Sequence, residues 1–356
     1  MEQKSVLIGM SGGVDSSVAA ALLKEQGYHV IGATMRLWTY SDSCNMKHEG
    51  CCAESAVEDA RRVCDKLGID FYVMNFKDMF KDKVVDYFVD EYIHGRTPNP
   101  CIACNKYLKF DALLKKALAM GIDYVATGHY AKIEKGEDGK YILRASEAVK
   151  KDQSYVLYNF TQEQLAHTLM PLGGYNKDWV RQKAEELGLG VAHKPDSQEI
   201  CFVEDDDYAK FITDYSGYKP KEGDILDVNG NVIGKHRGLI YYTIGQRKGI
   251  GAYGRPMFVM KIDAENNTIT LGEKGMEFSN ELTAYDVNFV SGEFPKENML
   301  ITAKVRYQAP LAAAMLCPQK DGTVKLMFPE PQRAVTPGQA VVFYDGDIVL
   351  GGGTVL

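Results

Sequence analysis

Through the first two hundred residues, short apolar runs alternate with stretches that carry helix formers. Val6-Leu7-Ile8 is too short for a helix and reads as a buried strand, whereas Val14 to Gln26 reads as a helix that stops at Gly27. The same pattern predicts strands at Val30 to Met35, Phe71 to Asn75 and Tyr124 to Thr127. It predicts helices at about Ala53 to Leu67, Met79 to Ile93 and about Asn105 to Ala119. Such alternation implies an α/β fold with a doubly wound, mostly parallel sheet, whose ligands bind at the carboxyl ends of the strands. Ala131 to Arg144 follows as a hairpin around Gly136-Glu137-Asp138-Gly139. Next come a polar, basic loop at Lys150 to Ser154 and helical stretches to about Leu187. From about Lys210, turn residues punctuate short strands such as Leu226 to Ile233, Met257 to Ile262 and Thr268 to Leu271, a small β-rich domain. The end of the chain, with Ala340 to Tyr344 and Ile348 to Val355, reads as a compact β-barrel. The expected domains are 1–208, 209–276 and 277–356.

The turn after the first strand, Gly9-Met10-Ser11-Gly12-Gly13-Val14-Asp15-Ser16-Ser17, has the makings of an anion site. Its glycines let backbone approach a ligand, and the unpaired N–H groups of the following helix point outward with the positive end of the dipole. A Walker loop would place Lys-Ser/Thr after the glycines, and here that position holds Val14-Asp15. Asp15 beside a polyphosphate makes sense with a magnesium ion between them. A bare Gly-Gly would more often be an ordinary βα turn, but the full string resembles the PP-loop of ATP pyrophosphatases.

Composition narrows the setting. A net charge of −7 argues against indiscriminate nucleic-acid binding and still permits a specific RNA partner through a local basic face. One such face runs from Asn229 to Ile262, with Lys235, Arg237, Arg247, Lys248, Arg255 and Lys261 interleaved with Tyr241, Tyr242 and Tyr253 and no Asp or Glu. A solvated face of a β-domain would read the same way. Met1-Glu2-Gln3-Lys4 runs directly into a core strand and no apolar run reaches membrane-spanning length, so a cytoplasmic location is expected. Eight cysteines in that setting suggest metal or sulfur chemistry before structural disulfides.

Two cysteine strings stand out. Gly95-Arg96-Thr97-Pro98-Asn99-Pro100-Cys101-Ile102-Ala103-Cys104-Asn105 sets two thiols at a helix start, where the thiolate is favoured. A zinc half-site or a redox pair would use the same spacing. Lys194-Pro195-Asp196-Ser197-Gln198-Glu199-Ile200-Cys201-Phe202 surrounds one cysteine with polar residues, the setting of an exposed thiol. Cys44, Cys51, Cys52 and Cys64 read more readily as reduced thiols than as metal ligands, and Cys317 as incidental.

These strings, with Ala-Thr-Gly-His-Tyr at 126–130 and Lys-Asp-Gln-Ser-Tyr at 151–155, occur in an order that closely resembles the tRNA-specific 2-thiouridylase family, over the whole chain. The resemblance implies an enzyme that uses ATP and Mg2+ to replace the C2 oxygen of the wobble uridine of tRNA with sulfur. ATP would be held by Gly9, Met10, Ser11, Gly12, Gly13, Val14, Asp15 and Ser16, with Met35 and Gly128 lining the adenosine pocket. By spacing alone Met35 reads as core filler and Gly128 as a turn. Cys201 would carry a persulfide, and Cys104 would attack it or close a disulfide with it as sulfur is delivered. Asn99, Pro100 and Cys101 would border the target base, and His129, Lys151, Asp152, Gln153, Arg306, Tyr307 and Gln339 would contact tRNA. The family expectation is tRNA for Lys, Glu and Gln, with a cysteine desulfurase or sulfur-relay protein as donor.

One position departs from the family. Many members carry Asp where this chain has Cys101, so Cys101, Cys104 and Cys201 also resemble the three cysteines that hold a [4Fe–4S] cluster in related tRNA thiolases. A cluster-bound sulfide is therefore expected beside the persulfide route. Two other functions use parts of the same pattern: a PP-loop amide-forming synthetase, and an RNA-binding metalloprotein without catalysis.

Overall fold

The computed structural model describes residues 3–38, 54–196, 200–203 and 206–356. Cys44, Cys51, Cys52 and the Ser197-Gln198-Glu199 part of the second cysteine string lie outside the described residues. The chain opens with β1 (Ser5–Gly9), β2 (His29–Arg36), β3 (Asp70–Asn75) and β4 (Tyr124–Ala126). A hairpin, β5 (Ala131–Lys135) and β6 (Tyr141–Ala145), precedes the short β7 (Thr168–Leu169). Strands β3-β2-β1-β4-β7 form one sheet in that order, and each neighbouring pair is parallel. In β1, Val6, Leu7 and Ile8 are all fully buried, as a central parallel strand covered on both faces requires. Val6 and Ile8 pack on one side with the helices Val14–Glu25, Glu54–Leu67 and Lys177–Glu186, while Leu7 joins the core on the other. Gly27, at φ +88°, ends the first helix where its sequence predicts.

The second cysteine-bearing helix starts earlier than its apolar pattern indicates. It runs over residues 100–119 as Pro100–Ala103, a π-helical segment Cys104–Ala112, and Leu113–Ala119. Asn99 caps it, its Oδ1 accepting from the Cys101 N–H at 3.1 Å, and Pro100 occupies the first helical position. Both cysteines thus sit in the helix and not in the loop before it. A second π-helical segment, Lys81–Asp86, interrupts the helix over residues 77–93.

In the middle domain the expected strand Leu226 to Ile233 is two strands, β8 (Gly223–Leu226) and β9 (Val232–His236). The Asp227 carboxylate accepts from Asn229 N and Asn231 N at 2.8 and 2.9 Å and folds the intervening residues into a turn, with Gly230 at φ +86°. They join β10 (Met257–Asp263) and β11 (Thr268–Glu273) in a four-stranded sheet. A helix missed by the sequence reading, Tyr208–Ser216, leads in; Asp207 caps it and Gly217 stops it.

The last six strands are β12 (Phe278–Phe289), β13 (Met299–Lys304), β14 (Ala312–Pro318), β15 (Val324–Arg333), β16 (Ala340–Asp345) and β17 (Ile348–Val355). They follow the order β12-β15-β14-β13-β16-β17, and pairing of β12 with β17 closes a six-stranded barrel. The early hairpin extends this sheet, with Arg144 of β6 opposite Ile348 of β17. Tyr344 and Val349 of the barrel share one core with Leu7, Phe80 and Phe202, so the barrel and the nucleotide-type domain are packed as one body.

Phe202 anchors the second cysteine string in that core. It is buried among Phe80, Phe88 and Phe211, with ring centroids 5.6, 5.3 and 5.2 Å away, while Cys201 beside it is exposed. Phe202→Ala is expected to lower the free energy of unfolding by about 3–5 kcal/mol, measured by urea denaturation; a loss below about 1 kcal/mol would refute the anchoring.

Candidate functional site

The turn between β1 and the first helix is shaped for an anion. Gly13 is the N-cap and no side chain caps the helix, so its first N–H groups stay directed outward. Gly12 has φ +71°, and a Cβ there would lie 2.3 Å from the Ala56 carbonyl oxygen. A Cβ on Gly128 would come within 2.7 Å of the Ser16 nitrogen and 2.8 Å of the Asp15 carbonyl carbon. These glycines are fixed by close approach of backbone, which leaves the mouth of the turn clear. Ser16 Oγ accepts from Ser11 N and donates to the Gly13 carbonyl, both at 3.2 Å, and Ser17 Oγ donates to the same carbonyl at 2.8 Å. Gly9 and Val14 complete the frame, Met10 is buried beneath it, and Met35 lies half-buried at the end of β2. This cradle fits the phosphates of ATP.

The cation that a Walker loop carries in its own sequence arrives here from elsewhere. Lys177 Nζ lies 2.7 and 2.8 Å from the two Asp15 oxygens and 2.7 Å from Asp196 Oδ1. Tyr130 donates its hydroxyl to Asp15 at 2.7 Å, and Lys151 Nζ binds the other Asp196 oxygen at 2.6 Å. Burial alone would raise the Asp196 carboxyl, but the hydrogen bonds from Lys151 and Lys177 prevail and hold it below the usual carboxylate range. Lys194 adds a second tie, donating to the Gly12 carbonyl at 3.1 Å and to Asp59 at 2.8 Å. Both oxygens of Asp15 are therefore engaged, and a magnesium ion would reach it only in exchange for Lys177. Sequence reasoning missed Lys177. Its one local signal is a cation in the first turn of a helix behind the Asn176 cap, against the dipole.

The cysteine pair lies on a continuation of this line. The Asp152 carboxylate accepts from Ser146 N and from the Ser154 N–H and hydroxyl, which fixes the loop. Tyr307 donates to the Asp152 carbonyl at 3.1 Å, and burial, Asp152 and Cys101 together push its pKa up. Cys101 and Cys201 are exposed and Cys104 is buried against the core. Among the described residues, no three His, Cys, Asp or Glu side chains are grouped to hold a metal ion. The expected three-thiolate set of Cys101, Cys104 and Cys201 is thus not among the groupings that could hold a metal, and no cluster chemistry is assigned to it. Cys64 is a core residue whose thiol burial raises to about 12.

The residues expected to meet tRNA divide into two groups. Lys151, Tyr307, which is 41% exposed, and the partly exposed Arg306 present groups at the surface. Asp152, Gln153 and Gln339 are committed to the protein: Gln153 Oε1 accepts from Tyr130 N at 3.0 Å, and Gln339 Nε2 donates to the Thr97 carbonyl at 2.8 Å. Gln339 thereby holds the segment that leads to Asn99 and Pro100. His129 hydrogen-bonds Thr127 Oγ1 through Nδ1 at 2.7 Å, and burial, with a smaller push from Lys109, keeps its pKa well below 6.5. In the basic stretch of the middle domain, Lys235, Arg255 and Lys261 are paired with Asp224, Glu273 and Asp263, and Arg237 stacks on Tyr241 at 4.1 Å. These pairs weaken the expected positive face, leaving Arg247 and Lys248 as its strongest part.

A parallel sheet with an uncapped, glycine-framed helix start at the end of its first strand, followed by two β domains, defines a PP-loop ATP-dependent enzyme of three domains. Residues 4–205 match the tRNA methyl transferase HUP domain family, 209–273 the tRNA methyl transferase PRC-barrel domain, and 279–355 the aminomethyltransferase beta-barrel domain. The tRNA-specific 2-thiouridylase MnmA of Acetivibrio thermocellus is 59% identical over 100% of both chains. Its counterpart in Clostridioides difficile is 58% identical over 99% of this chain and 98% of its own. A solved 4-thiouridine synthetase in complex with RNA and bound ATP is 18% identical, covering 54% of this chain and 43% of that one at a TM-score of 0.36, too distant to carry an argument. The chain belongs to the tRNA-specific 2-thiouridylase MnmA family.

Two predictions follow from the charges. Lys177→Met removes the cation shared by two carboxylates and is expected to weaken ATP binding about tenfold or more, read by calorimetry, with Lys177→Arg recovering part of the loss. Unchanged ATP affinity in Lys177→Met would remove the lysine from the site. For His129, the folded pKa is lowered, so its contribution to stability is complete above 6.5 and is lost as pH falls. Going from about pH 7.5 to about pH 5.5, the wild-type protein should lose more unfolding free energy than His129→Gln, measured in urea; equal losses would refute a neutral, half-buried histidine.

Proposed function

We propose that this protein is an ATP-dependent tRNA 2-thiouridylase. Its PP-loop turn transfers AMP from ATP to the C2 oxygen of the wobble uridine, releasing pyrophosphate, and sulfur then displaces AMP. The observation that carries the proposal is the run of contacts from Asp15 through Lys177 and Asp196 to Lys151, whose neighbour Asp152 accepts from Tyr307, a tyrosine whose pKa is raised in part by Cys101; it supports a single site for the activating turn and the cysteines. The relatives that match over the full chain support the choice of substrate and atom.

In this reading Cys201, exposed next to its buried Phe202 anchor, receives a persulfide sulfur from a donor protein such as a cysteine desulfurase or relay protein. The terminal sulfur attacks C2 of the adenylated base and AMP leaves with its oxygen. Cys104 then attacks the sulfur of Cys201, so that the C2 centre keeps the transferred sulfur and the two cysteines close a disulfide. A cellular reductant restores both thiols. The side chain at Asn99 and the Pro100-Cys101 backbone border the base, and Lys151, Arg306 and Tyr307 meet the RNA. tRNAs for Lys, Glu and Gln are the proposed substrates. Asp15 takes a magnesium ion with the phosphates once Lys177 turns to them.

Cys104→Ser and Cys201→Ser are each expected to abolish wobble-uridine thiolation, read by mass spectrometry of digested tRNA, with unfolding midpoints within a few degrees of wild type. Normal thiolation by both variants would refute the cysteine assignment. Loss of folding in both would instead favour a structural metal site.

A further inference from the structure

A cavity of about 310 Å3 lies behind the cysteine-bearing helix, between the first domain and the barrel. Its walls carry four tyrosines, Tyr87, Tyr107, Tyr158 and Tyr285, and two amides, Asn99 and Asn159. Ile102, Ala103, Lys106 and Tyr107 line it at the three-to-four residue spacing of one helix face, and Cys101 is outside that set. The cavity is thus the reverse side of the helix whose other face meets Tyr307, and Asn99 at the helix start borders both.

Several locally unfavourable features converge on this one space. Both π-helical segments contribute to it, Lys83 from the first and Lys106 with Tyr107 from the second; such insertions are rare and concentrate at functional sites. Asp286 in its wall is one of the few non-glycine residues with positive φ, at 47°. Asn159 lines the same space, with its side chain hydrogen-bonded to the Tyr158 hydroxyl. A packing role alone explains none of these.

The charges select the occupant. Lys106 is paired with Asp286 at 2.7 Å and Lys83 with Asp82 at 2.9 Å, so the rim is neutral and offers no cation to a phosphate. What remains is a ring of phenol faces with amide and hydroxyl groups at their edges. That surface suits an uncharged planar heterocycle with its own donors and acceptors, and the volume is at the small end of ligand sites, about 300 Å3.

We propose that this cavity receives an unstacked nucleobase of the RNA substrate, a neighbour of the base that reaches Cys101. The proposal rests on the tRNA 2-thiouridylase reading and adds a second base subsite to it. A base seated there stacks on tyrosine and splays the RNA around the helix start at Asn99, which holds the target base on the opposite face.

The test uses the full chain with Tyr107→Ala and Tyr285→Ala, two tyrosines of the cavity wall, of which Tyr107 is 36% exposed, after their unfolding midpoints are checked in urea. Affinity for an unmodified tRNA transcript is measured by filter binding and ATP affinity by calorimetry, and adenosine and uridine are titrated separately by ligand-detected NMR. The expected result is tRNA binding weakened about tenfold in each variant, the loss of one base–aromatic stack, with ATP affinity unchanged. Variants that bind tRNA like wild type overturn the subsite while the thiouridylase reading stands. The same holds if a free nucleoside binds tightly and competes with no RNA, since the occupant is then a free nucleoside. A wild-type chain that binds no tRNA overturns both.

Discussion

Lys177 stands between two carboxylates that belong to different parts of the chain, Asp15 on the nucleotide turn and Asp196 on the strap that leads to Cys201. With its side chain only 11% exposed, it is the most secluded charged group of a network that Tyr130, Lys151 and Arg181 complete. Two carboxylates brought this close repel one another in a partly desolvated setting, and a shared cation removes that cost. Together with Lys151 and Arg181, this ammonium group holds Asp196 in place. In the proposed function incoming phosphates would displace Asp15 as its partner, which couples nucleotide binding to Asp196.

The three domains serve that arrangement in different ways. The parallel sheet sets the helix start and its uncapped N–H groups at the end of β1. The barrel holds the other side: Gln339 fixes the loop before Asn99, Tyr155 donates to the Ala340 carbonyl at 2.7 Å, and Asn288 binds the Tyr158 and Phe160 carbonyls. A shared core, from Leu7 and Phe80 to Tyr344 and Val349, joins barrel and sheet. Asp152 and Gln339, which the resemblance assigns to RNA contact, also shape loops from within.

Much of this was legible in the chain. Apolar runs flanked by glycine located β1, β2 and the first helix, because a central parallel strand is buried on both faces and leaves a continuous hydrophobic signature. The nucleotide turn was legible for a similar reason: Gly12 and Gly128 are imposed by backbone contacts that no other residue satisfies. Local chemistry hid the rest. The Asn99 cap and Pro100 start a helix in a stretch that its prolines make look irregular, and the Asp227 turn breaks a run that alternation alone reads as a strand. Lys177, 162 residues from Asp15, is joined to it only by the fold, and the early hairpin finds its sheet partner in the last strand.

The account holds that the nucleotide turn and the cysteines perform one reaction. The most direct measurement is the ratio of AMP released to sulfur incorporated, taken with purified protein, ATP, tRNA transcript and a persulfide donor. The account predicts one AMP for each 2-thiouridine formed, with both products dependent on tRNA. AMP release that continues without tRNA, or thiolation that proceeds without AMP formation, would contradict it.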